Sequence, residues 1–369
     1  MTKFLVIIPF IVQLLFSISE STIYNTALIY YSIFILSFFI FTILFSSVYI
    51  DIKTTNENKN EKFKKIIYFF LISLFLLKTS ILLSKMASGL DYSAIRDYYF
   101  RSDDRISDLY LNQKAILYLY NYLYTPVFMY ALLNSIIEKK GTLFWCSLFI
   151  IDGVITAGRF NLYIVFLALI FIRGINFKII LNSIILLLVI ASIVHILRNN
   201  STGIQDTFYS IYQYHVVPIL IFEHASSLSI PGHIFPLDII FSGYAIFFKF
   251  IPIDLPIFDN WYYLQDYLDE IRVFFPDMQG PFNAFGNISL YFYWEFLYFG
   301  AIFQAIIFAI FLALKPSDRK SKIFTSYILI MLFLSCFQAG RLLSAASLVF
   351  IILFFFIHKP KFKLKIKTT

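Results

Sequence analysis

Hydrophobic residues in this chain fall into long, nearly uncharged runs. The stretch 27 to 50, for example, contains no charged residue, and about 20 apolar residues in a helix match the ~30 Å hydrocarbon core of a bilayer. The runs are continuous and lack the period-two alternation of barrel strands, so they predict helices. The pattern therefore predicts an all-α, polytopic integral membrane protein.

Ten runs are candidate transmembrane spans in a single membrane domain, 1 to 369. The fifth and sixth nearly touch, as do the ninth and tenth, so each pair predicts a tight hairpin. An alternative for the first run, behind Lys3, is a signal peptide, although no A-x-A-like site follows it. The spans are 4 to 19, 27 to 50, 66 to 84, 115 to 137, 143 to 158, 160 to 172, 179 to 197, 288 to 314, 323 to 338 and 342 to 357.

Charge sets the orientation of these spans, because loops rich in Lys and Arg stay in the cytoplasm. With the N-terminus inside, inner segments hold 19 of the 30 Lys and Arg residues and outer segments hold 10, with Lys78 inside a span. Both termini are therefore predicted to be cytoplasmic. The net charge of +8 then faces anionic lipid and requires no nucleic-acid partner.

Two outer segments are long, 85 to 114 and 198 to 287. Within the second, 208 to 222 and 237 to 251 have the length of re-entrant segments. If both crossed the membrane the count would be twelve, but 223 to 236 would then be cytoplasmic and contains no Lys or Arg. Residues 259 to 276 fit an amphipathic interfacial helix over an outer cavity, or a helix packed on the bundle.

Composition supports a membrane protein, since 60% of residues are hydrophobic and 14% are charged. Cys146 and Cys336 both lie within predicted spans, and no C-x-x-C pattern is present. Neither a disulfide nor a zinc site is indicated. We expect no metal and no cofactor.

Arginine is concentrated on the predicted outer face, which carries seven of the nine arginines but three of the 21 lysines. Guanidinium groups bind phosphate or carboxylate bidentately, so this face predicts an anion-binding surface. Arg159 and Arg341 each follow Ala-Gly in a short turn between two apolar helices, and snorkelling to headgroups is the alternative for both. Arg198 is a further candidate, and so is Arg96, for which pairing with nearby acids is the alternative.

Four other residues are candidate site residues because of their position and chemistry. Asp152 and Glu295 lie inside predicted spans, where a carboxylate needs a partner or water. Asp152 is seven residues before Arg159, on the same helical face, and a substrate or water would be needed to bridge them. Glu223 and His224 are candidate bases, with a structural role near the membrane surface as the alternative.

Several segments resemble the bacterial oligosaccharide repeat-unit polymerases, the O-antigen polymerase or Wzy family. ITAGRFNLYIVF is similar to that family's arginine-bearing hairpin, and SIYQYHVVPILIFE to its tyrosine and proline segment. FNAFGNISLYFYWEFLYFGAIF, with Glu295 and Gly300, resembles its aromatic re-entry helix. The chain departs from the family in lacking an R-x10-G pattern after any outer arginine.

The resemblance implies a membrane glycosyltransferase at the outer face of the bacterial plasma (inner) membrane. It would transfer a glycan from undecaprenyl pyrophosphate onto another lipid-linked repeat unit, alongside a chain-length regulator and a flippase. Arg159 and Arg341 would stabilise the pyrophosphate without a metal, and Glu223, His224 or Glu295 would activate the acceptor hydroxyl.

Three alternatives remain open. An O-antigen ligase would share the architecture, and a lipid-phosphate-sugar glycosyltransferase would use Asp103 and Asp104. A flippase or transporter is the non-enzyme alternative, and it predicts inverted repeats and helices broken near the midplane. The sequence shows neither feature.

Overall fold

The structure of the protein is a computed structural model. The structure describes most of the apolar runs and the segments that join them at one end. The described residues are 2–19, 25–55, 61–89, 119–155, 160–174, 217–226, 287–337 and 342–366, with 181, 185, 189, 192 and 240 as single positions.

The described chain is predominantly helical, which confirms the helical interpretation of the apolar runs. A π-helical turn, Leu119–Tyr124, precedes the fourth α-helix. The helices are α1 (Ile8–Ser19), α2 (Asn25–Leu44), α3 (Glu61–Ala87), α4 (Thr125–Glu138), α5 (Thr142–Ile155), α6 (Phe160–Arg173), α7 (Val217–Ser226), α8 (Ile288–Phe296), α9 (Phe299–Ala313), α10 (Ser321–Leu334) and α11 (Ala345–His358).

Two helical segments are long and apolar enough to cross a membrane. They are Thr26–Ser47 and Lys64–Ser84. Large apolar side chains on both are exposed, for example Ile43 at 71% and Phe69 at 75%. Such surfaces are unfavourable in water and favourable in lipid, so the two segments indicate membrane association.

A three-stranded sheet closes one end of the helical bundle. The strands are β1 (Val48–Lys53), β2 (Leu314–Pro316) and β3 (Lys361–Ile366). β1 is central, paired parallel with β2 and antiparallel with β3. The apolar pattern predicted no strand, and the predicted second span, 27 to 50, overlaps the start of β1.

The sheet gathers segments that the charge pattern had placed on one side of the membrane. β1 and β2 pair in parallel because α2 and α9, which pack along each other, both run into the sheet. Lys3 lies at the same end and donates a 2.7 Å hydrogen bond to the Leu312 carbonyl. We call this end of the bundle the sheet end.

The predicted span 288 to 314 is wrong as a single helix, because the chain breaks at Leu297 and Tyr298 into α8 and α9. Leu297 has a φ of +51°, and a Cβ built on Gly300 would lie 2.1 Å from the Phe292 carbonyl oxygen. The two helices therefore double back on each other at a point where only glycine fits. Their tip is exposed, with Phe299 at 72%.

α8 begins deep inside the bundle. Its N-cap residue Asn287 is fully buried and donates to the Tyr31 hydroxyl. The Ile288 amide donates to the Ser335 carbonyl, just past the end of α10. Nearby, Tyr30 donates to the Gln304 amide oxygen over 3.0 Å. This polar cluster is enclosed by aromatic residues, including Phe222.

Two pairs of neighbouring helices rise from the sheet end, at the positions where the sequence predicted two hairpins. α5 packs against α6, and Tyr327 of α10 stacks on Phe350 of α11. The connecting residues 156 to 159 and 338 to 341 lie outside the described residues.

Candidate functional site

Asp152 lies at the centre of a buried polar network between four segments. Its Oδ1 atom is 2.6 Å from the Lys78 ammonium, and the two side chains are 11% and 9% exposed. The Tyr124 hydroxyl donates to the same oxygen over 3.0 Å. Asn161 donates to Oδ2 over 3.2 Å. The network joins α3, the π-helical turn, α5 and α6.

Aromatic and backbone groups surround this ion pair. The Lys78 ammonium is 5.4 Å from the centroid of the Tyr124 ring, which is within cation–π distance. Tyr120 packs edge-on against Tyr124, and its hydroxyl donates to the Leu74 carbonyl over 2.6 Å. A buried carboxylate is tolerated here because charge and hydrogen bonds compensate its lost hydration.

Asp152 was predicted from the sequence, but its partner Lys78 was not. The predicted link ran from Asp152 to Arg159 through a bridging group, and Arg159 lies outside the described residues. Lys78 had only been noted as a charge inside a span. It faces Asp152 because α3 packs against α5, which is a contact between residues 74 positions apart.

Asn161 ties the network to the start of α6. Its side-chain amide bridges two groups on α5, the Asp152 carboxylate and the Phe149 carbonyl at 2.9 Å. Asn161 is the second residue of α6, so the hydrogen bonds fix the start of α6 against α5. The four residues 156 to 159 connect these two helices in the sequence.

The described helices next to the two Ala-Gly-Arg segments pack against each other. α6 packs along α10, and the rings of Tyr163 and Phe337 are 6.2 Å apart. Tyr163 follows Arg159 by four residues, and Phe337 precedes Arg341 by four. Beyond the second turn, Ser344 caps α11 by accepting a hydrogen bond from the Ser347 amide. The described helices on which these two turns border, α6 and α10, are therefore neighbours.

Glu223 caps a helix. Its two carboxylate oxygens accept hydrogen bonds from the backbone amides of Thr26 and Ala27, at 3.2 and 2.7 Å. These amides belong to the first turn of α2, where backbone N–H groups have no carbonyl acceptor within the helix. A carboxylate there also complements the helix dipole. The geometry therefore favours the structural alternative for Glu223 over its role as a base.

The other two candidate bases lie on neighbouring short helices. His224 is exposed on α7, and Glu295 is partly exposed in the last turn of α8. Trp294 donates to the Ala225 carbonyl over 3.2 Å, which joins the two helices beside these residues. The structure thus gathers Glu223, His224 and Glu295 into one region, away from the sheet end.

Several predicted residues lie outside the described part of the chain. They are Arg96, Asp103, Asp104, Arg159, Arg198 and Arg341, together with the interfacial segment 259 to 276. Of the proposed re-entrant segment 208 to 222, only the part within α7 is described, and it is mostly buried. Of the segment 237 to 251, only Ile240 is described.

The described residues of the candidate site could bind a ligand through hydrogen bonds and through charged side chains. Within the described ranges, no group of three or more His, Cys, Asp or Glu side chains is placed to hold a metal ion. The two features that organise the site are the buried Lys78–Asp152 pair and the adjacent hairpins. Comparison with protein-family models, with curated proteins and with solved structures gives no match.

Proposed function

We propose that this protein is a membrane glycosyltransferase of the polysaccharide repeat-unit polymerase type. It would act at the outer face of the bacterial plasma membrane on undecaprenyl-pyrophosphate-linked oligosaccharides. The observation that carries the proposal is the packing of α6 along α10, with Tyr163 beside Phe337. This packing supports a single anion site formed by Arg159 and Arg341.

The reaction requires little beyond charge stabilisation and a base. The acceptor hydroxyl attacks the anomeric carbon, the bond from that carbon to the pyrophosphate oxygen breaks, and undecaprenyl pyrophosphate leaves. Guanidinium forks stabilise the negative charge that develops on the leaving group. The hydroxyl proton passes to a general base. With Glu223 engaged by α2, we assign this base to Glu295 or His224.

The proposed topology keeps ten spans and both termini in the cytoplasm. It is supported by the sheet, which brings together three segments that the positive-inside rule places on one side. Reporter fusions after residues 58 and 318 should read cytoplasmic, and those after 104 and 265 external. An external reading at 58 would overturn this orientation.

The decisive experiment measures polymer formation by the purified protein in nanodiscs supplied with lipid-linked repeat units. We expect chain extension with release of undecaprenyl pyrophosphate. Arg159→Lys, which keeps the charge but loses the fork, should abolish most of the product. Arg173→Lys is the matched control, because Arg173 lies at the other end of α6. Wild-type chain lengths from Arg159→Lys would reduce Arg159 to a topological charge.

One observation favours a transporter or flippase as a second candidate. α8 begins inside the bundle and breaks from α9 after nine residues, and half-helices of this kind occur at transporter binding sites. Proteoliposomes separate the two functions: a flippase moves a fluorescent lipid-linked repeat between leaflets without extending it. A ligase or a lipid-phosphate-sugar glycosyltransferase would be identified in the same assay by its different acceptor or donor.

A further inference from the structure

The sheet has two chemically distinct faces. Residues directly opposite each other in paired strands share a face, and the register places apolar with apolar and polar with polar. The apolar face comprises Val48, Ile50, Ile52, Leu314, Pro316, Phe362, Leu364 and Ile366. The polar face comprises Tyr49, Asp51, Lys53, Lys315, Lys361, Lys363 and Lys365.

Part of the apolar face packs on the helices. Ile52 and Leu314 are buried at 0% and 6% exposure. Phe362 stacks on Phe355 of α11 with ring centroids 5.7 Å apart, and lies edge-on to Phe324 of α10. The apolar face of the sheet is therefore turned toward the helical bundle and the level of the membrane.

The second half of β3 extends beyond the bundle. Leu364 and Ile366 lie on the same face as Phe362, and each is 72% exposed. Phe355 and Phe356 in the last turn of α11 are 40% and 64% exposed. Through the Phe362–Phe355 stack, the uncovered face of β3 continues the apolar outer surface of α11.

The polar face is strongly basic. Among its described residues are five lysines and one acid, Asp51, which pairs with Lys365. The thickness of one strand layer separates the lysine ammonium groups from any surface that contacts the apolar face. This separation is on the order of the Debye length, ~10 Å. Lysine stems are long enough to bring the charge closer still. Such a charge distribution complements an anionic lipid surface.

Pairing with another strand fits this edge less well. β3 is an edge strand in the order β2-β1-β3, and lysine at alternate positions is a common means of preventing strands from adding to an edge. A second copy of the chain would bring its own lysine row against this one. Lipid satisfies both the apolar and the basic groups, whereas a second copy opposes like charges.

We propose that the sheet is an interfacial lipid-binding element of the cytoplasmic leaflet. Leu364 and Ile366 lie at the boundary between headgroups and acyl chains, and the lysine row binds the phosphates of anionic lipids. The proposal rests on the membrane orientation given above and is independent of the reaction. Loss of polymerase activity would leave it intact, and loss of lipid binding would not affect the assignment of Arg159.

The first test places a fluorescent label at Leu364→Cys in a protein whose Cys146 and Cys336 are replaced by serine. In nanodiscs containing phosphatidylglycerol brominated on its acyl chains, we expect strong quenching. The matched control is Lys363→Cys on the opposite face, which should be quenched far less. Equal quenching at the two positions would overturn the insertion of β3.

The second test removes charge and leaves Lys365 with Asp51. Each lysine near an anionic surface changes lipid preference by about fivefold. Lys361→Gln with Lys363→Gln should therefore lower the enrichment of phosphatidylglycerol over phosphatidylcholine around the protein by roughly tenfold or more. Lys139→Gln with Lys140→Gln, also exposed at the sheet end, is the control and should change it less.

Unchanged enrichment in the double variant would overturn the role of the lysine row. Intermolecular disulfides at Leu364→Cys without quenching would identify this face as a contact between copies of the chain and would also overturn the proposal. The substituted lysines and Leu364 are exposed, whereas Cys336, which is replaced by serine in the labelling background, is buried; the labelled variants are therefore compared with the cysteine-free protein. Thermal unfolding equal to that of this protein, or of wild type for the lysine variants, checks that each variant folds.

Discussion

Lys78 on α3 and Asp152 on α5 form a buried ion pair, with 2.6 Å between Nζ and Oδ1. Removing one partner of a buried pair leaves an uncompensated charge, which costs about 3 to 5 kcal/mol, whereas replacing both by apolar groups is often neutral. We expect Lys78→Met to lower the free energy of unfolding in detergent by this amount. Lys78→Met with Asp152→Leu should recover most of it.

Lys140→Met is the control for this cycle, because Lys140 is exposed at the sheet end, and it should be nearly neutral. Additive losses in the double variant would show that the two charges act separately. The cycle also tests Asp152 as a substrate-binding residue. If Asp152 binds substrate, the double variant would regain stability without regaining activity.

The Glu223 cap predicts a separation of stability from catalysis. Glu223→Gln keeps an oxygen acceptor for the α2 amides but loses the charge that favours the helix N-terminus, which costs about 0.3 to 1 kcal/mol. Glu223→Ala loses both and should cost about 1 to 2 kcal/mol. If Glu223 acts only as a helix cap, the Glu223→Gln variant should retain polymerisation activity. A fully inactive Gln variant with wild-type melting would restore Glu223 as the base.

Asp51 makes the attachment of β3 dependent on pH. Its carboxylate accepts hydrogen bonds from Lys365 and Ser317, which lower the pKa of Asp51. A lowered pKa in the folded state contributes stability that is complete above the unfolded pKa, about 3.9, and is lost as pH falls through the folded value.

We therefore expect amide exchange in residues 361 to 366, corrected for the intrinsic rate, to be constant between pH 5 and 8 (roughly 1 unit above the unfolded pKa). It should accelerate below about pH 4. Asp51→Asn should exchange faster at neutral pH and show little further acceleration in acid. A wild-type acid response in that variant would assign the response to another carboxylate.

The fold was predictable where a single apolar run makes a single helix. The α5–α6 hairpin follows the sequence pattern within three residues at each boundary. The sheet was missed because the alternation in VYIDIK directly follows an apolar run, and the lysines of KFKLKI were counted only as inner positive charge. Neither segment has a local signal for its partner, since β1 and β3 are about 300 residues apart.

The candidate site shows the same division between local and long-range information. Asp152 was conspicuous as an acid inside a span, yet its partner depends on how α3 packs against α5. Likewise, the aromatic run around Leu297 contains no proline or polar cluster to mark the break between α8 and α9. Gly300 was the one local sign of this break, and glycine is required there because the Phe292 carbonyl packs against it.

Gly300→Ala tests the sharp return between α8 and α9. The added Cβ would meet the Phe292 carbonyl oxygen at 2.1 Å, and backbone on both sides has to move. We expect a loss of about 3 kcal/mol in stability. Gly89→Ala is a useful comparison, because its φ of +93° is strained but its Cβ meets no atom within 4 Å. It should cost about 1 kcal/mol. Equal melting temperatures would argue against the close return.

The adjacent hairpins lead to a quantitative prediction about Arg159 and Arg341. If both guanidinium groups bind one pyrophosphate, each depends on the other, because groups acting as a unit are strongly non-additive. Arg159→Ala, Arg341→Ala and the double variant should then show similar, nearly complete losses of polymerisation by purified protein in nanodiscs. Arg173→Ala, at the sheet end of α6, is the control and should retain activity. Losses that multiply in the double variant would assign the arginines to separate tasks, one at the donor and one at the acceptor. Full activity of Arg341→Ala would remove that residue from the site, and the packing of α6 along α10 would then serve the fold alone.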